Sequence, residues 1–191
     1  MYRFLEYQTN DRMDSACDLY ENAISLFGVS KSFALAGLRI GWLTTQNMDL
    51  FKKLAVFKDY TTICSSAPSE ILALTALRAR EKIVGRNLDI IIGNLKLLNE
   101  SFEKYSAMFS WIRPQAGTIG FPKLLLKKNV SEFCLDLMDK KGVLLVPSSM
   151  FDYPENNFRI GLGRKNMPQA LAKFEEYLRE NIFYNVIKSS F

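Results

Sequence analysis

Residues 29–42 read VSKSFALAGLRIGW, and this stretch decides how the rest of the chain is interpreted. Lys31 stands between Ser30 and Ser32, and Arg39 follows eight positions later. Small and apolar residues surround both cations, although lysine and arginine normally lie in water. One lysine and one arginine in such a stretch therefore indicate a structural or functional role for both.

The residues that follow the lysine predict an environment with little water. Phe33, Leu35 and Leu38 are apolar, and Gly37 permits a tight turn or the close approach of a ligand. Desolvation lowers the pKa of an amine and makes it a usable nucleophile. We therefore expect Lys31 to be a desolvated, nucleophilic lysine.

Arg39 is suited to a phosphate, because its planar guanidinium donates to two oxygens at once. A lysine that forms a Schiff base, beside an arginine that holds a phosphate, is typical of a pyridoxal phosphate site. The alternative is a surface lysine in a loop and an arginine that pairs with a core carboxylate. The spacing alone leaves both interpretations open.

The composition is that of a globular chain. The 191 residues are 48% hydrophobic and 24% charged, which suffices for one large domain or two small ones. The net charge of +5 is dispersed over short clusters, which disfavours a nucleic-acid groove but leaves anionic small molecules as partners. No apolar run reaches the roughly 18 residues of a membrane span, and the N-terminus has no apolar signal core.

Histidine is absent, which excludes His-based triads, His metal ligands and His acid–base catalysis. Cys17, Cys64 and Cys134 are odd in number and lack metal-ligand spacing, so we expect no metal site. A reducing, cytoplasmic location fits this cysteine usage. A catalyst built from this chain must use Lys, Tyr, Cys, carboxylates or a cofactor.

Helical and strand patterns alternate, which predicts an α/β or α+β class. Residues 37–45 are predicted to form a short buried strand. Pro68 with Glu70 marks a helix start, and helical spacing continues to near Tyr105, with a break or bend expected at Gly85.

The C-terminal part has shorter patterns. A helix is predicted to end at Gly142, and residues 143–151 and 157–163 are predicted strands. Asn166, with Gln169 three residues later, is predicted to cap the last helix.

The stretch SKSFALAGLRIGW resembles the cofactor-lysine motif of class I/II aminotransferases, the fold-type I pyridoxal phosphate enzymes. The family pattern is Ser-Lys, an aromatic or similar residue, and then Gly-x-Arg-x-Gly. It is filled here by Ser30, Lys31, Phe33, Gly37, Arg39 and Gly41. The resemblance implies an α/β fold, pyridoxal 5'-phosphate carried on Lys31 as a Schiff base, and Ser30 and Arg39 as cofactor-binding residues.

The resemblance continues toward the C-terminus. Residues 114–124 are similar to the entry into the family's small domain, and residues 142–151 to its substrate-side strand and loop. Residues 157–164, NFRIGLGR, resemble the strand whose arginine binds the substrate α-carboxylate. Arg159 is by this match the substrate-binding residue, and a surface ion pair is the alternative.

The N-terminal MYRFLEY resembles the family's Asp-x-x-Tyr segment, which implies that Tyr2 bonds the oxygen of the cofactor ring. The aspartate that pairs with the ring nitrogen would lie two residues before Met1, outside this chain. The family's phosphate-cradling loop, ring-stacking aromatic and ring-oxygen asparagine are also missing.

The chain is therefore expected to be the C-terminal portion of a longer enzyme. Residues 1–84 correspond to the end of the large cofactor-binding domain, residues 85–107 to the long interdomain helix, and residues 108–191 to the complete α+β small domain.

Residues 58–70, KDYTTICSSAPSE, resemble a family segment at the subunit interface. Tyr60, Thr61 and Thr62 are therefore candidates for contacts across a homodimer. A helix-linking loop without a partner is the alternative.

The resemblance implies transfer of an amino group between an amino acid and a 2-oxo acid, with Lys31 as the proton shuttle. Because the aspartate is missing, we expect this chain alone to bind the cofactor weakly and to have little or no activity. Decarboxylation, racemisation or cyclisation on the same scaffold remains open, as does a non-catalytic, dimerising remnant. The sequence does not indicate the amino donor.

Overall fold

The computed structural model describes residues 2–183, and only the backbone of Ile182 and Phe183. This part of the chain contains six α-helices and seven short strands, in the order α1 (Ala16–Leu19), β1 (Ser25–Gly28), β2 (Gly41–Thr44), α2 (Met48–Thr61), α3 (Ala67–Arg78), α4 (Arg80–Lys104), β3 (Phe109–Ser110), β4 (Ile119–Gly120), β5 (Lys123–Leu124), α5 (Val130–Lys141), β6 (Val146–Pro147), β7 (Phe158–Gly161) and α6 (Met167–Leu178). A π-helical turn, Arg179–Phe183, follows α6. None of the described helices is long and apolar enough to span a membrane.

The chain forms two compact units. The first comprises Met1–Leu88 with Gln115–Gly117, and the second comprises Asp89–Pro114 with Thr118–Phe191. The last eight residues of the second unit lie outside the described part. The division after Leu88 lies within helix α4. The domain scheme of 1–84, 85–107 and 108–191 stays a prediction.

In the first unit, the antiparallel β1–β2 hairpin carries the loop of residues 29–40. The backbone N–H of Val29 donates to the carbonyl oxygen of Ile40 at 3.2 Å and closes the loop at its base. A Cβ atom on Gly41 would lie 2.9 Å from the carbonyl oxygen of Phe27. Only glycine therefore allows the two strands to meet directly below the loop.

The predicted strand at residues 37–45 is confirmed only at Gly41–Thr44, and the prediction that it is buried is wrong. Its residues alternate between exposed and half-buried. The strand has a single partner, β1, in a two-stranded sheet. Two strands cover too little surface to bury a strand on both faces.

Helix α3 begins as predicted, with Ser66 at the N-cap and Pro68 in the first turn. The predicted break at Gly85 is wrong, because Gly85 lies inside the continuous helix α4. The break occurs at Ala79, where φ is −94° and ψ is 20°. Glycine is tolerated within a helix at a cost of about 1 kcal/mol, so it does not by itself end one.

The second unit contains the three-stranded antiparallel sheet β4–β7–β6 and the β3–β5 pair. Its core is a cluster of aromatic rings whose centroids lie 5.5–6.5 Å apart. The rings are those of Phe102, Phe109, Phe133, Phe158 and Phe174. Such offset and edge-to-face contacts add to the stabilisation from burial alone.

The C-terminal element predictions are confirmed in part. Gly142, with φ of 67°, ends α5 as predicted. The strand predicted at residues 143–151 is limited to β6, because Pro147 lacks an N–H and a 3₁₀ turn follows it. Asn166 lies at the N-cap of α6, but its side chain makes no capping hydrogen bond, so that detail is wrong.

Candidate active site

The loop between β1 and β2 places Lys31 at the surface of the first unit. The Lys31 side chain is exposed, and its Nζ lies 5.9 Å from the centre of the Tyr2 ring. Among residues 2–183 it makes no hydrogen bond or ion pair. The structure therefore brings Tyr2 and Lys31 together and leaves the amine free.

The expectation that neighbouring apolar residues desolvate Lys31 is wrong for the described part of the chain. Phe33 is only 4% exposed and belongs to the core of the first unit, and Leu35 and Leu38 pack against that core. These side chains anchor the loop from below, where burial stabilises them, rather than covering the amine. The buried members of this core are Val29, Phe33, Ala73, Ala76 and Val84.

Hydrogen bonds that sequence reasoning missed attach the loop to two other segments. The Ser32 hydroxyl donates to the carbonyl oxygen of Arg3 at 2.6 Å, next to Tyr2. The Asn87 amide, on α4, donates to the carbonyl oxygen of Ser32 at 2.9 Å. The residue after Lys31 is thus held to the Tyr2 segment and to a helix 55 positions away. In the sequence, Ser32 stood out only because it follows the lysine, and no sequence pattern pointed to Asn87.

Arg39 lies at the far end of the same loop and is exposed. One guanidinium nitrogen, Nη1, donates to the carbonyl oxygen of Ala36 at 3.1 Å. The alternative of a carboxylate partner finds no support, because Arg39 makes no ion pair within the described part of the chain. Ser30 is half-buried, and its hydroxyl makes no hydrogen bond there either. The remaining donors of Arg39 and the Ser30 hydroxyl are available to a ligand.

The backbone is strained around these residues. Ala34 and Arg39 in the loop both have φ of 56°, and Phe4, two residues after Tyr2, has φ of 76°. Left-handed conformations of non-glycine residues cost on the order of 1–3 kcal/mol and cluster at functional sites. Only Asp152, among the described non-glycine residues, also has a positive φ. The strained backbone therefore makes this surface a candidate site, as its side chains do.

Arg159 lies on β7 in the second unit and is half-buried. It lines a cavity of about 560 Å³. The alternative of a surface ion pair finds no support, because Arg159 has no carboxylate partner among the residues described.

Tyr60, Thr61 and Thr62 lie at the end of α2, on a different element from Lys31. The Tyr60 side chain is 91% exposed. The Thr61 hydroxyl is used within the helix, where it donates to the carbonyl oxygen of Phe57 at 3.0 Å. Helix α2 has no buried residue in this structure.

The comparison with protein families identifies the family to which the chain belongs. The model for aminotransferase class I and II matches residues 7–174, which is most of the chain. The chain belongs to the class I and II aminotransferase family. The matched region includes the Lys31 and Arg39 loop and the strand that carries Arg159.

Solved structures agree with this family assignment. The chain is 30% identical to a PLP-dependent aminotransferase from Streptococcus suis 89-1591, with a TM-score of 0.81 over 88% of this chain and 45% of that one. It is 28% identical to the PLP-dependent cyclase OrfR, with a TM-score of 0.73 over 82% of this chain and 43% of that one. The α/β structure of this aminotransferase-family chain is thus that of fold-type I aminotransferases over roughly half of their length.

Among characterised proteins, the chain is 27% identical over 160 residues to capreomycidine synthase from Streptomyces vinaceus. This match covers 83% of the present chain and 41% of the synthase. The aminotransferase-family chain thus spans less than half of the length of such relatives.

Proposed function

We propose that this chain is part of a pyridoxal phosphate-dependent aminotransferase that moves an amino group between an amino acid and a 2-oxo acid. The observation that carries the proposal is that one strained loop carries both a Lys31 amine without a hydrogen bond in the described part of the chain and an Arg39 guanidinium with unused donors. Membership in the family supports it. In this proposal residues 1–84 are the end of the large domain, residues 85–107 the interdomain helix, and residues 108–191 the small domain.

The residues present fit the cofactor chemically. The Lys31 amine suits an aldehyde, Arg39 with Ser30 suits a phosphate, and the Tyr2 hydroxyl suits a ring oxygen. When bound, pyridoxal phosphate supplies the electron-withdrawing ring that makes the substrate α-proton removable.

The residues of the chain then have separate tasks. Lys31 would hold the cofactor between turnovers and would move the proton at the substrate α-carbon, because an uncharged amine can act as a general base. Arg39 and Ser30 fix the phosphate and thereby the position of the reacting group. Arg159 would bind the substrate α-carboxylate by donating paired N–H hydrogen bonds to its oxygens.

Selective labelling tests the Lys31 assignment even if the chain binds the cofactor weakly. The purified 191-residue chain is incubated with pyridoxal phosphate, reduced with borohydride and digested, and each lysine is quantified by mass spectrometry. We expect the phosphopyridoxyl label mainly at Lys31. Arg39→Met should lower that label about tenfold, which is the loss expected for one charge-assisted phosphate contact.

Lys52→Arg is the control, because Lys52 is an exposed lysine on α2 and not on the loop. It should leave the Lys31 label unchanged. Equal labelling of all exposed lysines, or a Lys31 label that does not depend on Arg39, would contradict the proposal.

Amino-acid cyclisation is the second candidate, favoured by the similarity to the cyclase OrfR. The two reactions differ in their products. The longer enzyme of which this chain is proposed to be a part, supplied with cofactor, an amino acid and a 2-oxo acid, should yield a new amino acid in the first case. A cyclised product that forms without the 2-oxo acid would favour the second.

We also propose that the protein forms a homodimer through the end of α2. Tyr60 is exposed, and none of the residues of α2 is buried in the described structure. Both observations support a surface that another chain covers. Free thiols at Cys17, Cys64 and Cys134 support a reducing compartment such as the cytoplasm.

A further inference from the structure

The second unit contains a cavity lined by two arginines. Arg159 reaches it from β7, and Arg164 reaches it from the turn between β7 and α6. Most of the other lining residues are apolar, including Val143, Leu145, Val146, Ile160, Met167 and Leu171. The volume of about 560 Å³ exceeds what a lone carboxylate needs and leaves room for an organic ligand.

Within the described part of the chain, no acidic side chain balances the two positive charges at this cavity. Neither guanidinium makes a hydrogen bond or an ion pair with residues 2–183, and no aspartate or glutamate is among the described lining residues. Two like charges that face one cavity repel each other and attract an anion. Guanidinium groups bind carboxylates through paired, charge-assisted hydrogen bonds.

A buried amide holds the second arginine in place. Asn94 on α4 is 6% exposed, and its Nδ2 donates to the carbonyl oxygens of Leu162 and Arg164, both at 2.8 Å. Both hydrogens of the amide are thus used on one turn, the turn that joins the strand of Arg159 to α6. Because a buried donor is costly to leave unpaired, this arrangement favours one conformation of the turn.

We propose that this cavity binds a carboxylate ligand with both guanidiniums, that Arg164 is a second carboxylate contact, and that Asn94 is its positioning residue. The inference rests on the proposed function, in which Arg159 is the α-carboxylate contact. It adds that the ligand is an acid with an apolar body, because apolar side chains form most of the remaining wall.

Binding of a simple aliphatic acid tests the cavity directly. The ¹⁵N-labelled 191-residue chain is titrated with 4-methylpentanoate, and the Nε–Hε resonances of Arg159 and Arg164 are followed by NMR. We expect both to shift with the carboxylate and neither to shift with the neutral 4-methylpentanamide. Arg164→Met should weaken binding about tenfold, as for the loss of one charge-assisted contact.

Lys165→Met is the matched control. Lys165 is the exposed neighbour of Arg164 and does not line the cavity, so its loss removes the same charge without removing the contact. It should change the affinity less than about twofold, because a solvated charge is screened by salt. If both variants weakened carboxylate binding equally, Arg164 would contribute only its general charge and not a specific contact. That result would overturn the inference.

A double-mutant cycle tests the role of Asn94. Asn94→Leu should weaken binding in the native background and have no further effect in Arg164→Met, because it acts through Arg164. If Asn94→Leu damaged the fold in general, it would weaken carboxylate binding equally in both backgrounds. That result would overturn the positioning role. Should Asn94→Leu fail to fold, Asn94→Asp replaces it, since it keeps the shape and removes both amide donors.

The outcomes also separate this inference from the proposed function. Labelling of Lys31 measures the reactivity of a lysine on a loop of the first unit. It does not depend on the cavity in the second unit. One outcome is that Lys31 is labelled selectively, and that Arg159→Met abolishes carboxylate binding whereas Arg164→Met leaves it unchanged. This outcome would retain the aminotransferase proposal and end the present one. Carboxylate binding that needs both arginines, without selective labelling, would retain the cavity as an acid-binding site.

Discussion

Asp136 on α5 is the residue on which several contacts of the second unit converge. Its Oδ2 accepts from the Tyr177 hydroxyl at 2.6 Å and from Lys128 Nζ at 2.9 Å, and its Oδ1 lies 3.0 Å from Lys140 Nζ. Tyr177 on α6 is fully buried. The hydrogen bond from Tyr177, followed by that from Lys128, holds the pKa of the Asp136 carboxyl well below its usual range.

Asp136→Asn should lower the free energy of unfolding on the order of 1 kcal/mol at pH 7, because charge-assisted hydrogen bonds to a partly exposed carboxylate are lost. The folded-state pKa lies below the unfolded value, so the contribution is complete above the unfolded pKa and disappears as the pH falls. The variant should therefore lose less stability than the native chain as the pH falls below about 4. Urea unfolding followed at several pH values measures this.

Asp139→Asn is the control, because Asp139 is exposed on the same helix and makes no ion pair among the residues described. It should leave the decrease of the free energy of unfolding at acidic pH unchanged. If the free energy of unfolding of the native chain and of Asp136→Asn decreased identically at acidic pH, the contacts of Asp136 would not stabilise the fold.

At the scale of elements, two glycines of the second unit differ in their backbone conformation, because one ends a helix and the other lies inside one. Gly142 ends α5 in the left-handed region, with φ of 67°. Gly93 lies within α4, exposed, with nothing near the position of a Cβ. A side chain is thus unfavourable at the first position for conformational reasons alone and is free to be added at the second.

Gly142→Ala should destabilise the protein by about 1 kcal/mol, because alanine in the left-handed region is strained. Gly93→Ala should stabilise it by roughly 0.5–1 kcal/mol, because alanine has the higher helix propensity. Chemical denaturation of both variants measures the two changes. Shifts of the same sign would contradict the assigned backbone conformations.

At the scale of the whole molecule, the first unit has a helix without buried residues. Helix α2 exposes several large apolar side chains, namely Met48, Phe51, Val56, Phe57 and Tyr60. Burial of such a surface against a second copy would remove apolar area from water and stabilise both chains.

Sedimentation analysis of the chain across a concentration series should show a monomer–dimer equilibrium. The variant Phe57→Ser with Tyr60→Ser should weaken association about tenfold or more, because it removes two large aromatic contacts. Met150→Ser is the control, since Met150 is equally apolar and 72% exposed but lies in the second unit. A chain that stays monomeric at high concentration would contradict the proposed dimer.

Local sequence determined the family and several elements of this protein. The motif at residues 30–41 resembles the cofactor-lysine motif of class I/II aminotransferases, and the family comparison confirmed that family. Pro68 predicted the start of α3 and Gly142 the end of α5, because capping and turn preferences act within a few residues.

Only the tertiary structure decided which side of each segment is buried and which distant residues meet. Phe33 faces the core and Lys31 faces outward, although both lie in one apolar tract. Asn94 meets the carbonyl oxygens of Leu162 and Arg164, 68 and 70 positions away, and this juxtaposition left no local pattern. The physical reason is that propensity and periodicity describe neighbours along the chain, whereas burial and long-range hydrogen bonds depend on which surfaces the whole fold brings together.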